Sequence, residues 1–263
     1  MEFKTYSNKQ LLNEFAITYG LSVFDKSLKE EVNKLKQEIL NRMKRNTVTT
    51  ESLQNSLVDE LVIIENKDVD IVFQSLKDKL NNITPQTKNK SATIISIIDS
   101  SGSMGSFEKY MSQCVSTWSE KLLELKYENV KHRYISHHTE AQEVRRDVFF
   151  SKCDTGGTII SSGLSKANEL INRVGYEHED IYLFQYSDGD NLTSDNETCN
   201  RFVKDILNKV ILFEYVEINQ FRRSSTIMTA YRKIQQDNFH INVLQSKEDV
   251  LKTVTNISNA LLF

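Results

Sequence analysis

Three short stretches gather carboxylates and hydroxyls among glycines: Asp99-Ser-Ser-Gly-Ser-Met-Gly105, Asp154-Thr-Gly-Gly-Thr158 and Tyr186-Ser-Asp-Gly-Asp-Asn191. Asp99 follows the apolar run 91–98, so a buried strand is expected to end in an acidic, hydroxyl-rich turn. Ser101 and Ser103 stand at the second and fourth positions after it, and Gly102 and Gly105 let the loop turn tightly. Thr158, after Gly156-Gly157, supplies a third hydroxyl. Asp188, before Gly189, brings a second carboxylate that reaches the same place directly or through water. Neutral hydroxyls with a few carboxylates, completed by water, suit an octahedral hard cation such as magnesium. Such a set carries less negative charge than a calcium cage and leaves room for an acidic group from a partner.

Other side chains cluster near these loops. His137-His138-Thr139-Glu140 invites a zinc or acid–base reading, but there is no HExxH and no third nearby His or Cys. Structural support, orientation of a ligating carboxylate and partner recognition are the competing roles for His137, His138 and Glu140. Asp190 is a candidate water-mediated ligand or a loop-capping residue, and Asn191 extends the same loop. Asp154 either neutralises a cation indirectly or stabilises its glycine loop. Met104, with Phe107, either packs the first loop or forms an apolar rim for a partner. Ser194 or Asp195 is expected to cap the helix that follows, with Glu197 in its first turn. Arg222-Arg223 with Lys233 makes a locally basic stretch, read as solvated surface with phosphate binding as the alternative. No P-loop or dinucleotide-binding glycine fingerprint follows the first strand.

The elements that must position these residues divide near Pro85, the chain's one proline. Residues 1–90 are expected to be a helical region and linker. Leu28, Val32, Leu35, Ile39 and Met43 form one helical stripe, and further helices are expected at 50–65 and 68–82. Residues 91–263 alternate strand and helix. Strands are expected at 93–98, 130–136, 180–186, 210–216 and 239–244, with a short edge strand at 143–144. Helices are expected at 107–127, 159–174, 196–208, 226–235 and 248–262, the last opened by Ser246 and Asp249 in a capping box. This order predicts an α/β fold with a mostly parallel central sheet. Ligands in such folds collect beyond the carboxyl ends of the strands, where strand order reverses. All three loops reach that edge.

Composition narrows the classes further. The 263 residues carry 33 basic and 36 acidic side chains, a formal charge of -3 that gives no sign of a nucleic-acid partner. Apolar runs fall far short of a membrane span, and the first residues lack the apolar core of a signal peptide. Cys114, Cys153 and Cys199 are widely spaced without a CxxC pair, as expected of free thiols in a cytoplasmic protein.

Taken in order, strand–DxSxS, GGT and strand–SDG resemble the von Willebrand factor A domain with its metal-ion-dependent adhesion site. The resemblance runs over roughly 92–263 and implies a three-layer α/β/α sandwich. It assigns Asp99, Ser101 and Ser103 to the first ligand loop, Thr158 to the second and Asp188 to the third. It implies Mg²⁺, with Mn²⁺ as the alternative, and a partner carboxylate completing the shell. The strings IDSSGSMG, KYENV, HHTEAQEV and FQYSDGDN further resemble the bacterial YhbH/YeaH family of sporulation and stress-response proteins. The N-terminal 90 residues depart from that family's longer N-terminal region.

The expected function is a metal-dependent protein-binding adaptor or assembly factor that takes an Asp or Glu side chain of its partner. The N-terminal helices would hold a second partner, mediate self-association or cover the metal edge. A metal-dependent phosphoester hydrolase is the opposing class, although the sequence offers no second metal site and no placed base. A scaffold with a non-essential metal is the third.

Overall fold

The computed structural model describes residues 8–22, 26–44, 91–151, 157–173 and 179–262, with Phe3 and Tyr6. The expected helices at 50–65 and 68–82, the linker up to residue 90, Cys153 and Asp154 lie outside the described residues. The chain forms two compact units. One holds the sheet and the candidate site, over residues 88–112 and 127–245. The other combines the N-terminal residues with 113–126 and 246–263.

In the sheet unit the strands are β1 (Ser91–Asp99), β2 (Asn129–His137), β3 (Ala141–Val144), β4 (Asp180–Ser187), β5 (Leu212–Ile218) and β6 (Phe239–Leu244). They lie in the order β3-β2-β1-β4-β5-β6. All neighbours are parallel except β3, which returns antiparallel on β2 after the turn at 138–140. This is the α/β class with a mostly parallel sheet that the alternation of elements predicts. The chain moves from β1 to β2 on one side and later to β4 on the other. Strand order therefore reverses at β1, and the crevice this creates lies at the carboxyl ends of β1 and β4.

β1 is apolar on both faces because both are buried. Ile95 and Ile97 join Ile135, Leu183, Phe213 and Tyr215 in one cluster. Three helices meet that cluster: α5 (Ile160–Ile171), α6 (Asn196–Leu207) and α7 (Thr226–Tyr231). Leu164, Ala167 and Leu170 come from α5, Val203 and Ile206 from α6, Ile227 and Tyr231 from α7. Each fully buried Leu, Ile or Val contributes about 1.5–3 kcal/mol, so this face anchors the sheet firmly. β5 begins two residues later than its apolar run predicts. Asn238 donates to the carbonyls of Leu207 and Val210, which keeps Val210 in the turn. The short helix α4 (Arg146–Ser151) was not expected, since six residues are too few to show a period.

The other unit contains α1 (Asn8–Ser22), α2 (Lys29–Lys44), the 113–126 part of α3 (Ser106–Lys126), and α8 (Val250–Leu262). α2 matches its expected stripe, with Val32, Leu35 and Ile39 buried. α1 was not expected. Its Leu11, Phe15, Ala16, Ile17 and Leu21 are buried around most of the helix, so no single stripe marks it. Trp118 is a core residue. Its indole N–H donates to the Ala16 carbonyl at 2.8 Å, and its ring lies 5.0 Å from that of Tyr19. Asn13 donates to the Lys247 carbonyl at 2.7 Å, just ahead of α8. The Ser246–Asp249 capping box is present there as predicted.

Candidate metal centre

Asp99 is the last residue of β1 and lies in register with His137 of β2. It has no exposed surface. One carboxylate oxygen accepts the Ser101 amide at 2.8 Å, a local bond that curls the chain back at the strand end. The other accepts the Ser187 hydroxyl from the end of β4 at 3.2 Å. Burial pushes the Asp99 carboxyl up to about 7; the bonds from Ser101 and Ser187 oppose that rise, and the nearby Asp188 charge adds to it.

The rest of the first loop is held from both sides. Ser100 donates its amide and its hydroxyl to the His137 carbonyl, at 2.7 and 3.0 Å. Ser101 is buried, Ser103 is exposed, and their hydroxyl oxygens lie 3.1 Å apart. The amides of Met104 and Gly105 return to the carbonyls of Ser101 and Ser103. Met104 has no exposed surface, so it packs the loop and offers no rim to a partner. Phe107 is half-buried.

The third loop leaves β4 through Ser187, whose hydroxyl also accepts the Gly189 amide at 3.1 Å. Asp188 is partly exposed and accepts the Asp190 amide at 3.1 Å. Gly189 has φ +86°, and a Cβ there would stand 2.5 Å from Ser225 Oγ and 2.6 Å from Glu217 Oε2. Only glycine fits both the backbone and the space. Asp190 is exposed. Asn191 is buried and accepts the Ile160 amide at 3.1 Å.

Thr158 is buried immediately before α5. Its neighbour Ile159 donates to the His138 carbonyl at 2.9 Å, which ties the second loop to the turn after β2. Asp195 was expected to cap α6, but makes no side-chain cap there. Its carboxylate accepts the Ser161 amide at 2.9 Å instead, and so caps the start of α5. The α5 amides are open donors, and the fold brings Asp195 across to them. Loops two and three are thereby joined through Asn191 and Asp195.

The histidines divide. His137 is fully buried, and neither ring nitrogen makes a hydrogen bond with the described residues. Burial pushes it down to about 4, so the ring is neutral near pH 7. A Cβ on Gly163 would stand 2.8 Å from its Cδ2, so α5 packs tightly against it. His138 is partly exposed, with Nδ1 2.9 Å from the Thr139 hydroxyl, and Glu140 is exposed.

Asp99, Ser101, Ser103 and Asp188 thus meet at the crevice by direct bonds or by charge, while Thr158 lies on the neighbouring loop, which the Ile159 amide ties to the His138 carbonyl. Neither Asp99 nor Asp188 pairs with a Lys or Arg among the described residues. Two close carboxylates without a counter-charge, beside two facing hydroxyls, are a donor set that fits a hard divalent cation. Among the described residues no three His, Cys, Asp or Glu side chains are grouped to hold a metal, and this set depends on hydroxyl oxygens beside two carboxylates. Sequence reasoning missed Ser187, the link between both acidic loops. It also missed Glu217, which is buried at the end of β5 and accepts from Tyr215 and Asn219 at 3.0 and 3.1 Å. Burial raises the Glu217 carboxyl, and the Asp188 charge adds to that rise. A polar residue at or next to the end of an apolar strand was the available signal for both.

A profile of a protein family of unknown function, DUF444, matches residues 21–259. A UPF0229 protein of Bacillus cereus (strain B4264) is 44% identical over 182 residues, covering 69% of this chain and 45% of that protein. A UPF0229 protein of Bacillus thuringiensis (strain Al Hakam) is 43% identical with the same coverage. The chain thus spans about half the length of the curated relatives it matches. Among solved structures, the VWA domain of SpRpn10 is similar with a TM-score of 0.48 and 13% identity, over 64% of this chain and 94% of that domain.

Proposed function

The chain belongs to the DUF444 family, and from that premise we propose that it is a metal-dependent protein-binding adaptor. Asp99, Ser101, Ser103, Thr158 and Asp188 would hold Mg²⁺ or Mn²⁺ at the crevice between β1 and β4. A cation held there would supply an open coordination position for an Asp or Glu carboxylate of a partner. The observation that carries this reading is a buried Asp99 within reach of the Asp188 charge, with neither carboxylate paired to a Lys or Arg among the described residues. Asp99 and Ser101 are buried, whereas Ser103 is exposed and Asp188 partly so, which leaves one side of the set open to a partner.

The chain's own residues have separable parts in this reading. Ser187 orients Asp99. The Ser100 bonds to the His137 carbonyl keep the first loop against β2. Asn191 and Asp195 hold the second loop against the third. A cytoplasmic site of action, a part in sporulation or the stress response, and self-association through residues 1–90 belong to the same proposal. Among the described residues, no helix is long and apolar enough to cross a membrane.

The test is capture from the native host by wild-type and Asp99→Ala chains, each in Mg²⁺ and in EDTA, read by mass spectrometry with a folding check. A protein retained only by the wild type in Mg²⁺ supports the adaptor. Partners retained by Asp99→Ala in EDTA sink it in favour of a scaffold. Phosphoester cleavage lost in Asp99→Ala would favour a hydrolase.

A further inference from the structure

Beside the third loop lies a second feature that the metal-centred reading does not use. A cavity of about 290 Å³ is lined by Arg222, Arg223 and Arg232, with Ser224, Thr229 and Glu217 among its other walls. The three arginines are exposed. Among the described residues none of them forms an ion pair. The Arg223 guanidinium lies 5.1 Å from the centre of the exposed Phe221 ring. Arg222 holds φ 53°, a left-handed conformation unusual for a residue with a Cβ. Asn219 braces the turn that carries them. It accepts the Arg223 amide at 2.8 Å and donates to the Arg223 carbonyl at 2.8 Å.

The lining acid, Glu217, does not cancel these charges at the mouth. It is 2% exposed, and its oxygens are already engaged by Tyr215 and Asn219. Three guanidinium groups therefore dominate the opening, and each offers a planar fork of donors matched to a carboxylate. The pocket is also continuous with the metal-site loop. Glu217 and Ser225, both lining residues, pack against Gly189, and Ser225 donates to the Gly189 carbonyl at 3.2 Å. Gly189 directly follows Asp188.

We propose that the Arg222–Arg223–Arg232 pocket is an anion subsite for a protein partner, so that the segment recognised is a run of acidic residues. One carboxylate would be taken at the Asp99–Asp188 centre and the next in the arginine pocket. The inference rests on the adaptor reading for its first carboxylate and on the pocket alone for its second. A run of acids fits better than a single one, because the two sites are separated only by Gly189 and its packing partners. Exposed guanidinium groups also steer an acidic segment toward the crevice, an effect that salt weakens.

The test uses the full chain and a fluorescent hexaglutamate peptide as probe, with hexaglutamine as control. It compares wild type, Asp99→Ala and the triple variant Arg222→Gln/Arg223→Gln/Arg232→Gln, in Mg²⁺ and in EDTA. The double variant Arg223→Gln/Arg232→Gln serves if the triple one unfolds. Hexaglutamate is expected to bind wild type and to lose about tenfold or more in affinity on neutralising the arginines, with Mg²⁺ binding itself unchanged. Equal hexaglutamate affinity in wild type and the arginine variant overturns the pocket, even where EDTA abolishes binding and the metal reading stands. Arginine-dependent binding that ignores both EDTA and Asp99→Ala upholds the pocket while the metal reading fails. Arginine-dependent binding of inorganic phosphate without binding of hexaglutamate overturns the acidic-segment proposal.

Discussion

The Ser187 hydroxyl lies 3.2 Å from a buried oxygen of Asp99 and accepts the Gly189 amide at 3.1 Å. One side chain at the end of β4 therefore sets both the carboxylate at the end of β1 and the start of the loop that carries Asp188. Ser187→Ala is expected to leave the fold intact at a cost of about 1 kcal/mol. It should weaken Mg²⁺ binding by several-fold through misorientation of Asp99. Calorimetric titration of Mg²⁺ into wild type and variant checks this, and unchanged affinity would remove Ser187 from the site.

Asp99 makes the metal-free protein sensitive to pH in a defined direction. Its carboxyl rises from an ordinary value of 3.8 to about 7 on folding. The folded state therefore binds the extra proton between those values, and stability falls as pH rises through that window. His137 works the other way. Burial depresses it from 6.5 to about 4, so its contribution is lost as pH falls through that range. The difference between Asp99→Asn and wild type isolates the first effect. In EDTA the variant should match wild type near pH 4 and exceed it above pH 7, by on the order of 1 kcal/mol per pH unit across the window. Mg²⁺ should close the gap by stabilising wild type alone. Thermal melts at pH 4, 6 and 8 decide the matter, and a pH-independent gap contradicts it.

Gly189→Ala places a Cβ at φ +86° and 2.5 Å from Ser225 Oγ. A destabilisation of about 1–3 kcal/mol is expected, from backbone strain and displacement of the Glu217–Ser225 wall. Urea unfolding measures it. Gly157, which would meet nothing within 4 Å, serves as the tolerant control.

Asp195→Ala should cost about 1 kcal/mol by uncapping α5 at the Ser161 amide, whereas the exposed Ser194→Ala should cost little. The same pair of urea curves separates this cross-loop role from the local cap expected from sequence. Equal costs would restore the local reading.

Trp118 is the chain's one tryptophan, so its fluorescence reports directly on the helical unit. Trp118→Phe removes the donor to the buried Ala16 carbonyl and should destabilise by about 1–3 kcal/mol. In wild type, unfolding followed by tryptophan emission reports the α1–α3 contact. A red-shifted native emission would contradict its burial.

Much of this protein is legible in one dimension. An apolar run buried on both faces marks β1, the alternation of such runs with helical stripes marks a parallel sheet, and a strand ending in Asp-x-Ser-x-Ser marks an oxygen-rich turn. These signals are local, because strand and helix periods and the turn chemistry of Asp, Ser and Gly act within a few residues. α1 escaped because a helix buried on most sides has no stripe, and α4 because six residues hold less than two turns.

Pairings between distant segments were decided by the tertiary structure alone. Ser187 meets Asp99 across 88 positions, Asp195 caps the helix before its own, and three arginines line one cavity beside the Asp188 loop. A carboxylate or hydroxyl satisfies whichever donor the fold brings near, and that choice depends on strand order and register, which residue types and spacing do not encode. Residue types and spacing therefore mark which oxygen atoms are candidates to hold a cation. The six-stranded order, with its reversal at β1, decided which of them stand together.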